Sequence, residues 1–415
     1  MHDAQATRVT FATMCLVGLF ARLSYAMART PVLALFAIHL GAPPEAIGLV
    51  VGISTITGIV FKMPSGILSD IIGRRTMLIV GLCVFAFVPF AYFWVTGFWG
   101  LFLVRFLHGF ATAIYGPVAM AVVAEIAGSR KAELISWFSS LTIIGTLCGA
   151  PLGGFLLWWL TRSAPADLAT FHNIYAVVGA FGILALVLAL TRLGALSPGE
   201  LSADQRRSLP AVVARFSEGV RQMVSDYAII MTSSMEGLQN MAVGALEAFL
   251  PVYAVTIAGL NPFQAGMLWA VQIVATLAAK PLMGRFADRH GRKPLIVGGM
   301  VLCAGAFVLI PTTGSLVELV ALAVAFGLGE ALVTSSTAAM VADMCDKRHY
   351  GAAMGAFGTY FDIGHAAGPI TAGLLLAAFA ENYLAAFLPI AIAMLLATVL
   401  FALTVSERRN DLGGR

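Results

Sequence analysis

The sequence predicts an all-α membrane protein: twelve transmembrane helices in two pseudo-symmetric six-helix bundles. Three observations carry this. Hydrophobic residues make up 60% of the chain and charged ones 11%, more apolar surface than a water-soluble domain can hide. Twelve stretches reach the roughly 20 apolar residues that span a bilayer. The block Gly66-Ile67-Leu68-Ser69-Asp70-Ile71-Ile72-Gly73-Arg74-Arg75 returns as Gly284-Arg285-Phe286-Ala287-Asp288-Arg289-His290-Gly291-Arg292-Lys293, 218 positions later.

The first crossing, 11–38, follows the single cation Arg8 and is too long for a cleaved signal peptide. It is expected to persist as an uncleaved span, with Arg22 and Arg29 inside it. Crossings two (46–68) and three (77–96) flank the first charged hairpin, and Lys62 lies near the end of the second. Crossing four (99–126) contains Arg105 and His108 and ends beside Glu125. Crossing five (132–160) contains Gly145, Gly149 and Pro151, and crossing six (171–192) closes the first half.

Residues 193–224 form the one long polar stretch. Val212, Val213, Phe216 and Val220 recur there at helical spacing among Arg215, Glu218 and Arg221, which predicts an amphipathic helix on the inner membrane surface. Crossing seven (225–256) holds Glu236, Asn240 and Glu247. Crossing eight (262–285) holds Lys280 and runs into the second hairpin. Crossing nine (294–313) carries no charge, and crossing ten (315–343) holds Glu330 and ends at Asp343. Crossing eleven (351–380) holds Asp362, His365, Gly368 and Pro369, and crossing twelve (382–405) ends the second half. The expected division is 1–192, a linker at 193–224, and 225–415.

Orientation follows from the basic residues. Of the 25 Lys and Arg, the outer loops hold one, Arg162, and five lie inside crossings. The rest fall on segments that an inside N-terminus places in the cytoplasm, which is the positive-inside bias with both termini cytoplasmic. The net charge of +4 is therefore a topology signal and gives no footprint for nucleic acid. The five cysteines are scattered with no metal-ligand or disulfide spacing, and they read as small packing residues.

The repeat extends past the hairpin. Gly41, Pro44 and Gly48 match Gly259, Pro262 and Gly266; Lys62 matches Lys280; Gly109 and Ala113 match Gly327 and Ala331; Glu125 matches Asp343; Pro151 matches Pro369. One register across six crossings reads as duplication. An even number of crossings per copy makes the repeat parallel, with a substrate site expected near the midplane between the halves.

These residues resemble the major facilitator superfamily over essentially the whole chain. The hairpin Gly66-x-x-x-Asp70-x-x-x-Arg74-Arg75 and its echo resemble that family's first signature. Arg105 through Gly109 and Ala113 resemble the Arg-x-x-x-Gly element of proton-coupled members. Gly145-x-x-x-Gly149-Ala150-Pro151 is similar to the antiporter signature, although Ala150 separates a glycine and proline that the family keeps adjacent. Gly364-x-x-x-Gly368-Pro369 has the regular form. The set looks most like the twelve-span drug:proton antiporter branch, which implies that fold, Gly149, Pro151, Gly368 and Pro369 as hinges, and a coupling role for Arg105.

Asp70, Arg74 and Glu125, repeated as Asp288, Arg292 and Asp343, suggest a latch that favours the state closed to the cytoplasm; ordinary loop charges are the alternative. Inside the crossings, a charge at the bilayer centre costs about 2.5–3.5 kcal/mol and calls for a partner or a wet cavity. Arg22 and Arg29 lie seven apart, on one face of the first crossing, and map onto Asn240 and Glu247. Arg29 and Glu247 are expected to pair as an outer gate, with Arg22 and Glu236 facing the cavity; the alternative is that Arg29 snorkels. Glu236 and Glu330, then Asp362 and His365, are the candidates for carrying a proton, since a carboxylate taken out of water holds its proton until a cation approaches. His108 reads as a packing residue, and Lys62 and Lys280 as snorkelling ones.

The expected protein is therefore a multi-pass transporter of the cytoplasmic (inner) membrane that works as a monomer. It would exchange protons for a small amphipathic organic compound by alternating access. Uptake or export of an organic anion, lipid or lysolipid transport, and a flux-free sensor or scaffold are the other readings. No phosphate loop, metal cluster or nucleophile–base motif points to an enzyme or to a bound cofactor. The partners are the substrate, protons and the bilayer, with no nucleic acid.

Overall fold

Thirteen helices form among the described residues of a computed structural model, which covers 2–127, 130–193, 226–345 and 350–406. The linker helix expected at 193–224 lies outside the described residues. In chain order the helices are α1 (His2–Arg29), α2 (Val32–His39), α3 (Pro44–Ile72), α4 (Arg74–Ala91), α5 (Phe98–Ile126), α6 (Lys131–Leu160) and α7 (Leu168–Arg192). They continue as α8 (Tyr227–Thr256), α9 (Pro262–His290), α10 (Lys293–Leu309), α11 (Leu316–Met344), α12 (Tyr350–Ala378) and α13 (Tyr383–Thr404). They make twelve spans long and apolar enough to cross a membrane, because α1 and α2 together form the first, Val9–His39.

The break in that first span is a feature that the apolar run hides. Pro31 has no N–H, so the carbonyl of Met27 loses its helical donor and the rod ends at Arg29. The next carbonyl, of Ala28, accepts instead from the Tyr175 hydroxyl at 3.3 Å. Positive-φ glycines make the tight turns elsewhere: Gly73 (φ 103°) ends α3 and Gly291 (φ 90°) ends α9. Asp167 caps α7 by accepting from the Thr170 N–H at 2.7 Å.

The described residues group into two compact units. One comprises those of Met1–Ser208, Gly244–Ala270 and Ala366–Glu381; the other comprises those of Leu209–Val243, Val271–His365 and Asn382–Arg415. In the first unit, α1 packs on α6 and α7, α3 on α5, and α4 on α5 and α7. Met14, Val17, Leu78, Leu82, Phe85, Val118 and Val122 fill its core. In the second, α10 packs on α11 and α13, with Phe307 stacked on Phe387 at 4.4 Å. Polarity is inverted relative to a water-soluble protein: Leu403 and Trp94 are 79% and 78% exposed while Arg105 is wholly buried.

Small residues set how closely the rods approach. In the first unit a Cβ on Gly109 would lie 2.9 Å from the Ser54 carbonyl oxygen and 2.8 Å from Thr57. In the second, Gly327 meets the Gln272 carbonyl and Ala275 in the same way, at 2.6 and 3.0 Å. Ser54, Thr57 and Gly109 map onto Gln272, Ala275 and Gly327 at the expected shift of 218. Gly81 against Tyr115 and Gly299 against Val333 repeat the relation.

The register is not unchanged over all six crossings, however. A Cβ on Gly145 would collide with the Leu19 carbonyl, and one on Gly364 with the Gly237 carbonyl. Leu19 and Gly237 are 218 apart, but Gly145 and Gly364 are 219 apart. The fifth and eleventh crossings are thus related by one residue more. Pro151 matches Pro369 in the alignment, whereas Ala150 is its equivalent in packing. Backbone contact is governed by where side chains are missing, so the glycines define the register and the proline does not.

At Gly182 a Cβ would overlap the carbonyl of Phe85 on α4, whereas nothing lies within 4 Å of the Cβ direction at Gly305. Gly182→Ala is therefore expected to cost about 1–3 kcal/mol through overpacking. Gly305→Ala should be neutral or gain up to about 1 kcal/mol. Thermal melting of the detergent-solubilised protein would check the pair, with a clear fall in Tm for the first variant alone.

Candidate functional site

The polar side chains inside the crossings collect into two clusters, one in each unit. In the first unit the Arg29 Nε lies 2.6 Å from the Glu247 Oε1. The Thr30 hydroxyl donates to the same oxygen at 3.2 Å. Glu247 is 5% exposed. Thr30 is delivered by the helix break at Pro31, so the interruption in α1 helps to build the carboxylate's surroundings. Residues 29 and 247 are also each other's duplicates at the 218 shift.

Below the pair sits a buried basic and aromatic cluster. Arg105 is 0% exposed, and its guanidinium carbon lies 5.1 Å from the centre of the Tyr25 ring. A desolvated cation over such a ring gains about 2 kcal/mol. No carboxylate reaches Arg105 among the described residues; Tyr25, Tyr92 and Tyr175 are the titratable groups around it. Tyr92 stacks on Tyr175 at 3.8 Å and 3°, and its hydroxyl shares a hydrogen bond with the His108 Nδ1 at 3.2 Å. His108 also packs edge-on against Tyr25 at 5.1 Å. It is a hydrogen-bonded core residue held in place by two aromatic partners, Tyr92 and Tyr25.

In the second unit the carboxylates are held by neutral donors. Thr337 on α11 donates to the Glu236 Oε2 at 2.7 Å, and the Asn240 side chain donates to Oε1 at 3.2 Å. Glu236 is 2% exposed. Glu330 accepts from Thr276 at 3.0 Å and from Gln272 at 3.2 Å. The Glu236 carboxylate feels the fields of Lys280 and Glu330, while Lys280 itself is exposed. Gln239, wholly buried, lies on the same face of α8 one turn from Glu236. Gln272, Thr276, Thr337 and Gln239 escaped the sequence reading because uncharged polar residues carry no cost signal at a known position. Asp362 and His365 are half-buried on α12, with the His365 ring parallel to Phe361 at 6.0 Å.

The hairpin charges form two like clamps. Arg74 donates to the Ala121 carbonyl at 3.0 Å and pairs with Glu125 at 2.9 Å and Asp70 at 3.5 Å. Arg292 bonds the Ala339 carbonyl and pairs with Asp343. Ala121 and Ala339, like Glu125 and Asp343, are 218 apart. Each arginine thus ties a hairpin to the C-terminal end of a helix within its own half, where the helix dipole favours a cation. The Asp288 side chain lies outside the described residues.

The hinge candidates sit at tight backbone contacts of the first unit. Gly145, Gly149 and Gly153, four apart on α6, face α1, and a Cβ on Gly153 would lie 2.7 Å from the Met27 carbonyl oxygen. Gly266 on α9 faces the Ala150 carbonyl at 2.5 Å, and Gly48 on α3 faces the Pro369 carbonyl. Gly373 on α12 faces the Pro44 carbonyl at 2.5 Å, and Gly154 faces that of Pro262. Pro151 is half-buried, while Gly368 and Pro369 are buried.

Residues 14–276 and 237–414 match the family model described as Major Facilitator Superfamily. An uncharacterized MFS-type transporter of Methanocaldococcus jannaschii is 25% identical over 88% of this chain and 89% of its own. The multi-drug resistance efflux pump PmrA of Streptococcus pneumoniae is 23% identical over 82% of each. The human chromaffin granule amine transporter is 23% identical over 68% of this chain, which spans about half (51%) of that protein. Among solved structures, a bacterial homolog of the human lysosomal transporter Spinster superimposes with a TM-score of 0.79 at 14% identity. That match covers 96% of this chain and 95% of the other.

Replacing Gly48 and Gly266 together by Leu puts side chains where Pro369 and Ala150 now present backbone. The seams at the Pro31 end are then expected to part. A cysteine placed at Ala34, now 2% exposed, should label at least tenfold faster in the double variant than in the parent carrying the same cysteine.

Proposed function

The chain belongs to the major facilitator superfamily, and on that premise we propose that it is a proton-coupled antiporter exporting a small amphipathic organic compound by alternating access. The family makes it a multi-pass membrane transporter rather than an enzyme. The observation that carries the finer reading is the setting of Glu236 and Glu330. Both lie within membrane crossings and are held by hydroxyl and amide donors, and no ion pair forms with either among the described residues. A carboxylate so placed is served equally well with or without its proton, since Thr337 and Thr276 can turn from donor to acceptor. It can take a proton from one side and release it when an approaching cation or a change of access restores the anion.

The Arg29–Glu247 pair serves in this reading as the outer gate. Separating the partners exposes two charges that the closed state keeps from water. The Arg74 and Arg292 clamps stiffen the cytoplasmic hairpins, and Gly149, Pro151, Gly368 and Pro369 let the crossings bend. The protein works as a monomer in the inner membrane with both termini inside, as the positive-inside bias supports. Similarity to the efflux pump favours export.

Proteoliposomes test the coupling. With a pH gradient imposed, efflux-pump substrates should accumulate against their own gradient and draw protons the other way. Glu236→Gln should leave binding within about threefold while abolishing the pH-driven component. Proton movement unchanged in this variant would refute the assignment. For the gate, single cysteines at 29 and 247 should label slowly in one access state and fast in the other. Equal rates in both states would rule the gate out.

A further inference from the structure

Arg22 is a basic side chain in the middle of the first crossing whose charge finds no counterion among the described residues. It lies 13 residues past Val9, or about 20 Å at 1.5 Å per residue, deep in a hydrocarbon layer about 30 Å thick. Arg29, two turns on, has Glu247. Arg22 is half-buried, and no carboxylate pairs with it among the described residues. The titratable groups whose fields reach it are Tyr115, Tyr25 and Arg29. Tyr115 is 2% exposed, and its hydroxyl has no hydrogen-bond partner among the described residues. Across from the root of Arg22, α6 places Gly145, where a Cβ would lie 3.2 Å from the Arg22 Cβ.

A bilayer-centre cation without a counterion is costly, and so is a buried hydroxyl without a partner. The two costs occur near each other in one unit, where Arg22 is only half-buried. Arg105, equally without a carboxylate among the described residues, is a second buried positive charge in the same unit. One group satisfies the arginine and the hydroxyl together: an anion with at least two acceptor oxygens, one taking the guanidinium and one the phenol. An aromatic face is also at hand, since Tyr25 and Phe85 pack edge-on next to Tyr115.

We infer that Arg22 and Tyr115 form an anion-binding subsite, and that the transported compound carries a carboxylate, sulfonate or phosphate group that this pair holds. The inference rests on the transport reading for its purpose and names the substrate class of that reading. The carboxylates of the second unit carry the proton, and the basic wall of the first carries the cargo's negative end.

Three matched probes test this on the purified full chain: 2-naphthoate, 2-naphthylmethylamine and 2-naphthylmethanol, each titrated to 10 mM by thermal shift. Naphthoate should raise the Tm saturably. Arg22→Gln should weaken its affinity at least tenfold, Arg22→Lys should keep part of it, and Tyr115→Phe should cost about three- to tenfold. Without ligand, Arg22→Gln should melt at or above the parent, because it removes an unpaired charge; a large fall would mark Arg22 as structural and overturn the subsite. So would the lack of a saturable naphthoate shift, or naphthoate affinity that Arg22→Gln leaves unchanged. If the subsite behaves as stated but no flux follows in proteoliposomes, the transport reading fails and the subsite stands. Flux of a naphthylamine that is indifferent to Arg22→Gln, with no response to naphthoate, does the reverse.

Discussion

The controlling constraint on this molecule is that the hydrocarbon layer supplies no water to satisfy a charge or an open carbonyl. Every departure from a plain apolar rod must therefore be met by another part of the chain. The break at Pro31 shows how tightly this binds the design. Losing one N–H there leaves the last turn of α1 short of donors. The Tyr175 hydroxyl answers one carbonyl, and the freed Thr30 side chain turns to Glu247. The same proline that disrupts the first crossing thus helps to hold the ion pair next to it. The buried tyrosines around Arg105 follow the same logic with rings in place of carboxylates.

The second organising element is the approach of backbone to backbone. Glycines on α3, α6, α9 and α12 each clear the way for a carbonyl from a neighbouring rod. Such contacts lack the grip of interlocked large side chains, and dispersion over short surfaces holds them. That would suit a seam that opens and closes, as the proposed alternating access requires. The hairpin clamps differ: Arg74 and Arg292 each take a carbonyl and a carboxylate of a single helix end, which fixes the hairpin to its own half.

Much of this was legible in the sequence. The twelve crossings, the duplicated hairpins and the stranded charges all follow from hydropathy and the cost of burying charge. The pairing of Arg29 with Glu247 was within reach because both map to one position in the two copies and the family resemblance implies that the first and seventh crossings meet on the outer side. What escaped were groups that carry no such cost. Thr337, Thr276 and Gln272 are as compatible with packing as with holding a carboxylate, and only three-dimensional adjacency separates the uses. Tyr92 and Tyr175 read as generic apolar bulk until their stacking against each other is seen. The helix break was hidden because Pro31 sits in an uninterrupted apolar run, and hydropathy is blind to a missing N–H.

The one-residue offset between the fifth and eleventh crossings bears on anyone who would graft one copy onto the other. A chimera spliced by aligning Pro151 with Pro369 rotates the transplanted helix by about 100°, one residue of a 3.6-residue turn. Its bare stripe would then face lipid, with bulky groups driven against the neighbouring rod. Spliced on Gly145 and Gly364 instead, the exchanged segment keeps its smooth side inward and leaves the proline one step out of phase. The halves are thus interchangeable parts only when their cut points are chosen by what is absent from the chain.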